Sequence, residues 1–332
     1  MKIDLSREYW TEVFQPALEM YAAGATPNPD VACNREIKFG KLFERLQTRH
    51  KSQDNWWVAT GFTYSITYLI LGHYARSAMS TRTGKTVLLR SKDPSKDQTF
   101  FLSQISQQAL SRTLFPLANW TKRELRSHAI SYLPHRIAQK PDSQGLCFVS
   151  PTKSVSAVPR PRRSEGRHFS DFLREYLPPP EPALVTLENG QIVGTHNGIF
   201  HVTIGERARL SFGNSQRLKP GMKWYVASKS NSPPSYTIVP GADHPMLYSK
   251  GLIARDWRWI DEHDAKDHLG GTVAQIRHRQ VPISCTLERC GDHNVHITFD
   301  DEKGVYGVTP GQAVAVYLED RCLGGGIIDR AD

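Results

Sequence analysis

Two local sequences place a cysteine where its thiol could become reactive, and the first is TPNPDVACNREIKFG around Cys33. Asp30 is the predicted N-cap of the helix that follows the proline-rich turn, which puts Cys33 in the first helical turn. There, free backbone N–H groups and the helix dipole would lower the pKa of the thiol, and Arg35 and Lys38 add positive charge. The alternative is an inert thiol on the buried side of the helix.

Cys147 is the second such cysteine and lies in QKPDSQGLCFVS. The preceding Ser-Gln-Gly turn leaves the backbone open, and the arginine-rich segment behind it would again favour a thiolate. The alternative is that residues 146–148 form a short buried strand. For each cysteine taken alone, the local sequence favours the inert alternative.

Two polar segments offer side chains suited to an anion or a nucleobase. Lys96, Asp97 and Gln98 lie in SKDPSKDQTFF, where they provide donors and acceptors together or simply form a solvated helix cap. His73 follows a glycine in GHYAR and has, by itself, the pattern of an ordinary histidine at the end of a strand.

A third segment, RHRQ at residues 277–280, lies inside a strand pattern. Arg277 and Arg279 are therefore predicted to share one face of that strand, with His278 on the other face. Two arginines on an exposed sheet face suit phosphate groups, whereas the alternative is a solvated sheet edge.

The periodicity of the apolar residues predicts an α/β half followed by an all-β half. Helices are expected over 8–24, 35–47 and 99–115, strands over 56–62 and 83–91, and a further helix after a capping box of Thr121 and Glu124. Short strands follow, with hairpin turns at Asn189-Gly190 and Asn197-Gly198. The predicted domains are an α/β domain (1–149), a flexible basic loop (150–168), a small central β domain (169–240) and a C-terminal β barrel (241–332).

The composition favours an anionic partner and excludes several classes of protein. The formal net charge of +9 indicates a polyanion, above all nucleic acid. The five cysteines contain no C-x-x-C pair, which argues against a disulfide scaffold or a structural zinc site, and no bound metal is expected. No apolar run is long enough to span a bilayer, so no membrane partner is expected either.

Nine motifs occur together and in a fixed order, and together they carry a resemblance that no single motif does. They are TPNPDVACNREIKFG, GHYAR, LLRSKDPSKDQTFFL, LFPLANWTKRELR, DSQGLCF, FSDFLREYLP, GTHNGIFHVTIGER, AQIRHRQVP and VTPGQAVAVYLEDRCLGGGII. The chain resembles the tRNA-specific 2-thiouridylases, the MnmA/TrmU family of tRNA-uridine 2-sulfurtransferases, from about residue 4 to 329. The resemblance implies a partial nucleotide-binding α/β domain of the PP-loop/HUP type ahead of the two β domains.

The same resemblance implies a reaction and the residues that perform it. In the family, ATP, accompanied by Mg²⁺, adenylates the 2-oxygen of the wobble uridine of tRNA, and a persulfide then delivers sulfur to the activated carbon. By motif, Cys147 would carry the persulfide and Cys33 would be the nucleophile that attacks or resolves it. Asp30 would be an acid/base group, and Asn28 and Pro29 would help to hold the flipped base. Two distant cysteines in thiolate-favouring turns agree with this chemistry.

Further residues are implied as contacts to the substrates. Gly61 or Gly72 would contact ATP. The anticodon stem-loop of tRNA is the expected macromolecular partner, and a persulfide donor protein is the expected source of sulfur. The family location would be mitochondrial in a eukaryote and cytoplasmic otherwise. The residues implied to contact tRNA are His73, Lys96, Asp97, Gln98, Arg277, His278 and Gln312.

The chain departs from the family pattern in two ways. No SGGxDSS-type pyrophosphate loop precedes the first motif, and residues 62–72 form an insertion that separates Gly61 from His73. Both are expected to be gene-model artefacts, with a genuine short isoform as the alternative. The competing functions are a non-catalytic tRNA-binding remnant that cannot bind ATP, and a thiol redox or sulfur-carrier protein that acts without tRNA.

Overall fold

The computed structural model describes residues 3–50, 56–60, 73–134, 173–177, 181–208, 218, 221–262 and 271–332. The chain divides into two compact units. Unit 1 comprises residues 1–15, 27–140 and 248–332, and unit 2 comprises residues 16–26 and 141–247. All the candidate site residues that the structure describes belong to unit 1.

Two helical segments begin the chain. The first contains α1 (Ser6–Tyr9), a π-helical stretch (Trp10–Phe14) and α2 (Gln15–Ala22). The second contains α3 (Pro29–Ala32), a π-helical stretch (Cys33–Lys41) and α4 (Leu42–Arg49). The helices predicted over 8–24 and 35–47 are therefore confirmed. The π-helical stretches follow a wider turn than an α-helix, a feature often found at functional sites.

The rest of the α/β part consists of short elements. They are β1 (Val58–Ala59), β2 (Arg76–Met79), β3 (Thr86–Leu89), a 3₁₀ turn (Pro94–Lys96), α5 (Thr99–Leu102), α6 (Gln107–Ser111), β4 (Thr113–Leu114) and α7 (Lys122–Tyr132). β1 pairs with β4 in parallel, and β2 forms an antiparallel hairpin with β3. The capping box predicted at Thr121 and Glu124 is present. The single helix predicted over 99–115 is instead two short helices and a strand.

Unit 2 contains a four-stranded sheet. Its strands are β5 (Ala183–Leu187), β6 (Ile192–His196), β7 (Trp224–Asn231) and β8 (Pro234–Pro240), in the order β6-β5-β8-β7. The hairpin turn predicted at Asn189-Gly190, between β5 and β6, is confirmed, and Gly190 adopts there the positive φ, +80°, that glycine tolerates best. The hairpin predicted at Asn197-Gly198 is wrong, because a 3₁₀ turn (Ile199–His201) follows Gly198 in place of a strand paired with β6. Alternate residues of β5 face a core formed with β8, including Val185, Tyr236 and Ile238.

The C-terminal part folds into a closed barrel. Its elements are β9 (Tyr248–Ser249), β10 (Gly251–Trp259), β11 (Thr272–Gln275), β12 (Ile283–Arg289), β13 (Val295–Phe299), β14 (Val305–Tyr306), β15 (Ala313–Leu318) and β16 (Arg321–Ala331). Strands β10-β13-β12-β11-β15-β16 pair in that order, and β10 closes the ring by pairing with β16. Closure leaves no free edge and confirms the predicted barrel.

The glycine run in β16 allows this closure. A Cβ atom on Gly326 would lie 2.8 Å from the Trp257 ring, and one on Gly324 would lie 2.3 Å from the carbonyl oxygen of Arg258. Only residues without a side chain let β10 and β15 approach β16 this closely.

The hairpin of β2 and β3 joins the α/β part to the barrel. β3 pairs with β16, with Cys322 opposite Leu88 and Arg321 opposite Leu89. One buried cluster therefore contains side chains from both parts, including Leu88, Phe100 and Tyr317. Since they share a core and a sheet, loops of the α/β part and loops of the barrel are held at fixed positions within unit 1. Among the described helices, none is long and apolar enough to cross a membrane.

Candidate active site

The proline-rich turn begins a helical segment whose N-cap is Asn28, so the prediction that Asp30 caps it is wrong. The Asn28 side chain accepts a hydrogen bond from the backbone N–H of Val31 at 3.3 Å. Pro29 occupies the first helical position, where its fixed φ is already helical and its missing N–H costs no hydrogen bond. The Asp30 carboxylate is thereby released from the capping role.

Cys33 lies beyond the first turn of this segment and is buried, with 6% of its surface exposed. Its backbone N–H is bonded to the carbonyl groups of Asp30 and Pro29, so the predicted first-turn environment is not the one it occupies. The side chain belongs to a small apolar cluster with Val13 and Ile37. In this conformation Cys33 is packed as a core residue, and its role as a nucleophile stays a prediction.

The other described cysteines are poorer candidates for a nucleophile. Burial raises the pKa of Cys285 to about 11 and that of Cys322 to about 12, so both stay protonated at neutral pH. Cys290 is exposed at the end of β12. The predicted persulfide carrier, Cys147, lies outside the described residues.

The two cations predicted beside the cysteine behave differently. Arg35 pairs with its neighbour Glu36, and its Nη1 donates a hydrogen bond to Gln104 at 2.8 Å, so its charge is compensated locally. Lys38 is exposed and forms no ion pair within the part of the chain that the structure describes. The field of Lys38 reaches the carboxylate of Asp30.

Asp30 is half-buried and lies within electrostatic range of Lys38 and His278. Burial raises the pKa of its carboxyl group, while the two basic groups act in the opposite direction. Because burial dominates, Asp30 holds a proton more tightly than an exposed aspartate. A raised carboxyl pKa favours the protonated form, which a group that accepts and returns a proton must be able to reach.

His73 is buried, with 7% of its surface exposed, and supports the helical segment. Its Nε2 lies 3.0 Å from Oδ1 of Asn34, and Nδ2 of Asn34 donates to the Asp30 carbonyl oxygen at 3.0 Å. Because an amide oxygen only accepts, Nε2 carries the proton, and Nδ1 has no partner among the described residues. Burial, helped by Lys38, lowers the pKa of His73 to about 3, so the ring is neutral. Its predicted contact with tRNA stays a prediction.

Two residues of the barrel part approach the proline-rich turn. Nε2 of Gln312 donates to the carbonyl oxygen of Pro27 at 3.5 Å. His278 donates from Nε2 to the carbonyl oxygen of Asp97 at 2.9 Å and interacts electrostatically with Asp30. Burial lowers the pKa of His278 despite these acidic neighbours. The structure thus brings together residues that are separated by most of the chain.

The segment 277–280 is a turn rather than the predicted strand. β11 ends before it, and Arg279 has a φ of +67°, which is incompatible with an extended strand. Arg277 donates to the carbonyl oxygens of Tyr306 and Gly307, at 3.0 Å in the first case. The two arginines therefore do not share a strand face, because the chain turns between them.

Asp97 has its carboxylate occupied within the protein. It accepts hydrogen bonds from Ser91 N at 3.0 Å, from Thr99 Oγ1 at 2.8 Å and from Arg90 Nη1 at 3.1 Å. A fourth hydrogen bond comes from Thr99 N at 3.3 Å. With four donors around a buried carboxylate, Asp97 organises the loop that carries it. A contact between its carboxylate and tRNA stays a prediction.

Gln98 and Lys96, the two neighbours of Asp97 in the sequence, lie in different surroundings. The Gln98 side chain accepts a hydrogen bond from Tyr74 N at 2.9 Å, which fixes the chain beside His73. Lys96 lines a pocket of about 540 Å³ between its own loop and the turn after β11. The basic and amide side chains around this pocket are Arg90, Lys96, His278, Arg279, Gln275 and Gln280.

Comparison with known proteins identifies the family. A model described as tRNA methyl transferase HUP domain matches residues 1–151, one described as tRNA methyl transferase PRC-barrel domain matches 170–238, and one described as Aminomethyltransferase beta-barrel domain matches 249–328. The chain is 36% identical over 339 residues to Mitochondrial tRNA-specific 2-thiouridylase 1 of Schizosaccharomyces pombe, with 100% of this chain and 75% of that protein covered. It is also 36% identical over 327 residues to the tRNA-specific 2-thiouridylase MnmA of Haemophilus influenzae, with 98% and 76% covered. The chain belongs to the tRNA-specific 2-thiouridylase family.

Membership confirms the resemblance and the fold class predicted from the sequence. The thiouridylase family is one of sulfur-transferring enzymes, tRNA-uridine 2-sulfurtransferases. Its HUP, PRC-barrel and C-terminal β-barrel models follow one another along this chain in the order of the predicted α/β, central β and barrel regions.

Two residues of the site, Asn34 and Arg90, were not predicted from the sequence. Asn34 is 3% exposed and links His73 to Asp30, and the only signal for it was its place directly after Cys33 in the NPDVACN motif. Arg90, in the segment LLRSKD, donates a hydrogen bond to Asp97. No sequence signal distinguishes it from any other arginine that follows an apolar strand.

Several predictions fall on residues outside those that the structure describes. They are the persulfide carrier Cys147, the ATP contacts Gly61 and Gly72, the insertion 62–72 and the basic loop 150–168. These stay predictions. Within the described residues, no group of three or more His, Cys, Asp or Glu side chains could hold a metal ion.

Proposed function

We propose that this chain transfers sulfur to carbon 2 of the wobble uridine of tRNA, in an ATP-dependent reaction that uses a persulfide. The observation that carries the proposal is the likeness of almost the whole chain to proteins named tRNA-specific 2-thiouridylases. The basic composition supports an RNA substrate, because phosphate groups dominate RNA affinity.

The geometry of the turn at Asn28 supports its assignment as the base-binding site. Asn28, Pro29 and Asp30 belong to one rigid turn, and the barrel residues His278 and Gln312 converge on it. A base extruded from an anticodon loop needs polar partners for its edge and a surface that replaces its stacking neighbours. The amide of Asn28, the carboxyl group of Asp30 and the imidazole of His278 are of the kinds that can provide the polar partners.

Sulfur transfer in this proposal uses the two cysteines in sequence. The terminal sulfur of the Cys147 persulfide attacks carbon 2 and forms the new C–S bond while the activated oxygen leaves. The Cys33 thiolate then attacks the inner sulfur and breaks the S–S bond, so the electron pair stays on the 2-thiouridine sulfur. Cys33 and Cys147 are left as a disulfide, and two electrons from a thiol reductant restore the enzyme.

Asp30 is proposed to move protons during these steps. Its raised pKa lets it accept a proton from a thiol and return it later, and the basic groups of Lys38 and His278 stabilise it when it is ionised. Burial of Cys33 in this conformation implies that the segment around it must open before the thiol can react.

ATP is proposed as a co-substrate that activates the uracil oxygen, with Mg²⁺ as its counter-ion. The residues matched to ATP contacts by motif, Gly61 and Gly72, lie outside the described residues, so no geometric step is assigned to them. A persulfide donor protein is proposed as the source of sulfur. A mitochondrial location is proposed for a eukaryotic host, because a relative from Schizosaccharomyces pombe is named as mitochondrial.

The test is thiolation of unmodified tRNA by the purified chain with ATP and a ³⁵S-labelled persulfide donor. Wild type should form labelled 2-thiouridine only when ATP is present. Cys147→Ser should abolish both loading of ³⁵S onto the protein and transfer to tRNA. Cys33→Ser should still become loaded but should transfer no sulfur. The matched control is Cys290→Ser, an exposed cysteine that should behave as wild type.

The outcomes separate the competing functions. No thiolation combined with salt-sensitive tRNA binding would replace the enzyme by a tRNA-binding remnant. Loading of sulfur without any tRNA binding would favour a sulfur carrier. Full transfer by Cys33→Ser or Cys147→Ser would refute the role proposed for that cysteine.

A further inference from the structure

Arg90 connects the two loops that border the pocket of about 540 Å³. It follows β3, and its guanidinium lies over the ring of Tyr317, 3.6 Å from the ring centroid. Tyr317 is fully buried on β15, so the ring gives Arg90 a rigid platform. The backbone of Arg90 is also fixed, because its N–H donates to the carbonyl oxygen of Asp320 at 2.7 Å.

A single nitrogen of Arg90 serves both loops. Nη1 donates to Oδ2 of Asp97 at 3.1 Å and to Oε1 of Gln275 at 3.1 Å. Asp97 belongs to the loop that carries Lys96, whereas Gln275 ends β11 in the barrel. The guanidinium therefore links a loop of the α/β part to a loop of the barrel within unit 1.

Gln275 passes this constraint to the turn that carries His278. Its Nε2 donates to the carbonyl oxygen of Gln280, and the Gln280 side chain accepts from Ile276 N at 2.9 Å, so the turn is closed at both ends. Arg279 within this turn adopts a left-handed φ of +67°, a conformation that is unfavourable for a residue with a side chain and persists only where the surroundings enforce it.

We infer that Arg90 is a positioning residue for tRNA binding, which holds Lys96 and the His278 turn at the spacing that the RNA requires. This inference rests on the proposed function, in which Lys96 and His278 contact tRNA. Arg90 acts on the RNA through Asp97 and Gln275. Its planar guanidinium can bond two acceptors while it stacks on Tyr317, and a lysine ammonium cannot reproduce that geometry.

The test compares Arg90→Lys with wild type in steady-state thiolation and in direct tRNA binding. Arg90→Lys keeps the charge and the apolar stem but loses the planar guanidinium that stacks on Tyr317 and places Nη1 between Asp97 and Gln275. We expect the KM for tRNA and the Kd for tRNA to rise about tenfold, equivalent to about 1.4 kcal/mol. We expect kcat to stay within about twofold and the melting temperature to fall by no more than about 3 °C, because the positive charge and the packing of the apolar stem are kept.

Arg289→Lys is the matched control. Arg289 also lies over an aromatic ring, that of Trp259, and it pairs with Glu262 at the far end of β12 from the pocket. A purely structural role of stacked arginines would give both variants the same profile. We expect Arg289→Lys to leave the KM and the Kd for tRNA unchanged.

A second variant tests the route through the barrel loop. Gln275→Leu removes the second acceptor of Arg90 Nη1 and leaves the bond to Asp97, so it should raise the Kd for tRNA by itself. Combined with Arg90→Lys, it should raise the Kd by much less than the product of the two single effects, because both variants break the same link. Independent, multiplicative effects would overturn the inference.

The failure of this inference is distinguishable from the failure of the proposed function. If wild type binds tRNA without thiolating it, the proposed enzyme is wrong and the Kd series still decides the role of Arg90. If wild type thiolates tRNA and Arg90→Lys keeps the wild-type KM and Kd, Arg90 has no positioning role. If wild type binds no tRNA, both are overturned.

Discussion

The buried imidazole of His73 should make the stability of this protein depend on pH in a defined direction. Its pKa falls from 6.5 to about 3, first because of burial and second because of Lys38. In the unfolded chain the same ring takes up a proton below about pH 6.5, so the unfolded state binds more protons than the folded state between pH 3 and 6.5. The contribution of the neutral His73 ring to stability is therefore fully present above pH 6.5 and is lost as the pH falls from 6.5 towards 3.

The magnitude follows from the two pKa values. Each pH unit below 6.5 lowers the free energy of unfolding by about 1.4 kcal/mol while the folded ring stays neutral. Between pH 7 and pH 5 the unfolded state gains about 2 kcal/mol from protonation of this one ring, and the folded state gains almost nothing. The substitution His73→Gln removes the titration and keeps a side-chain donor for Oδ1 of Asn34.

The assay is urea unfolding followed by tryptophan fluorescence at pH 7 and pH 5. The loss of unfolding free energy between the two pH values should be about 2 kcal/mol smaller for His73→Gln than for wild type. The control is His293→Gln, a substitution of an exposed histidine, which should reproduce the wild-type loss. An equal loss in wild type and His73→Gln would refute a buried, neutral His73.

Three further predictions concern other parts of the chain. Burial raises the pKa of Asp30, so the folded state binds the proton more tightly than the unfolded state, and this contribution to stability is lost as the pH rises through the folded pKa. Asp30→Asn removes this titration, so its free energy of unfolding should rise relative to that of wild type as the pH increases from 3.8 towards neutral. The same variant should lose thiolation activity. Thr121→Ala removes the capping box with Glu124 and should cost about 1 kcal/mol in urea unfolding without changing the Kd for tRNA. Ile297→Ala in the barrel core should cost about 2–5 kcal/mol, and a loss below 1 kcal/mol would mean that the barrel core is not closely packed.

Local sequence signals were enough to predict the order of the elements and the family. Period-two alternation and the Asn189-Gly190 turn predicted the β half, and Thr121 with Glu124 predicted the start of α7, because these signals act over a few residues of chain. The ordered motifs indicated the family because their types and spacing together are specific. The cap at Asn28 could also have been read locally, since Pro29 fixes the first helical position.

Which polar residues are occupied inside the protein is a property of the folded chain alone. Asp97 and Lys96 are neighbours in the sequence and both line the pocket, but only the folded chain shows that the Asp97 carboxylate accepts four hydrogen bonds from within the protein. The partners of Asp97 include Arg90, and the second acceptor of Arg90 Nη1, Gln275, comes from the barrel. Burial and long-range hydrogen bonds determine the pKa values of a site and which of its polar groups are bonded within the protein. Burial and these hydrogen bonds depend on residues that no local sequence pattern connects.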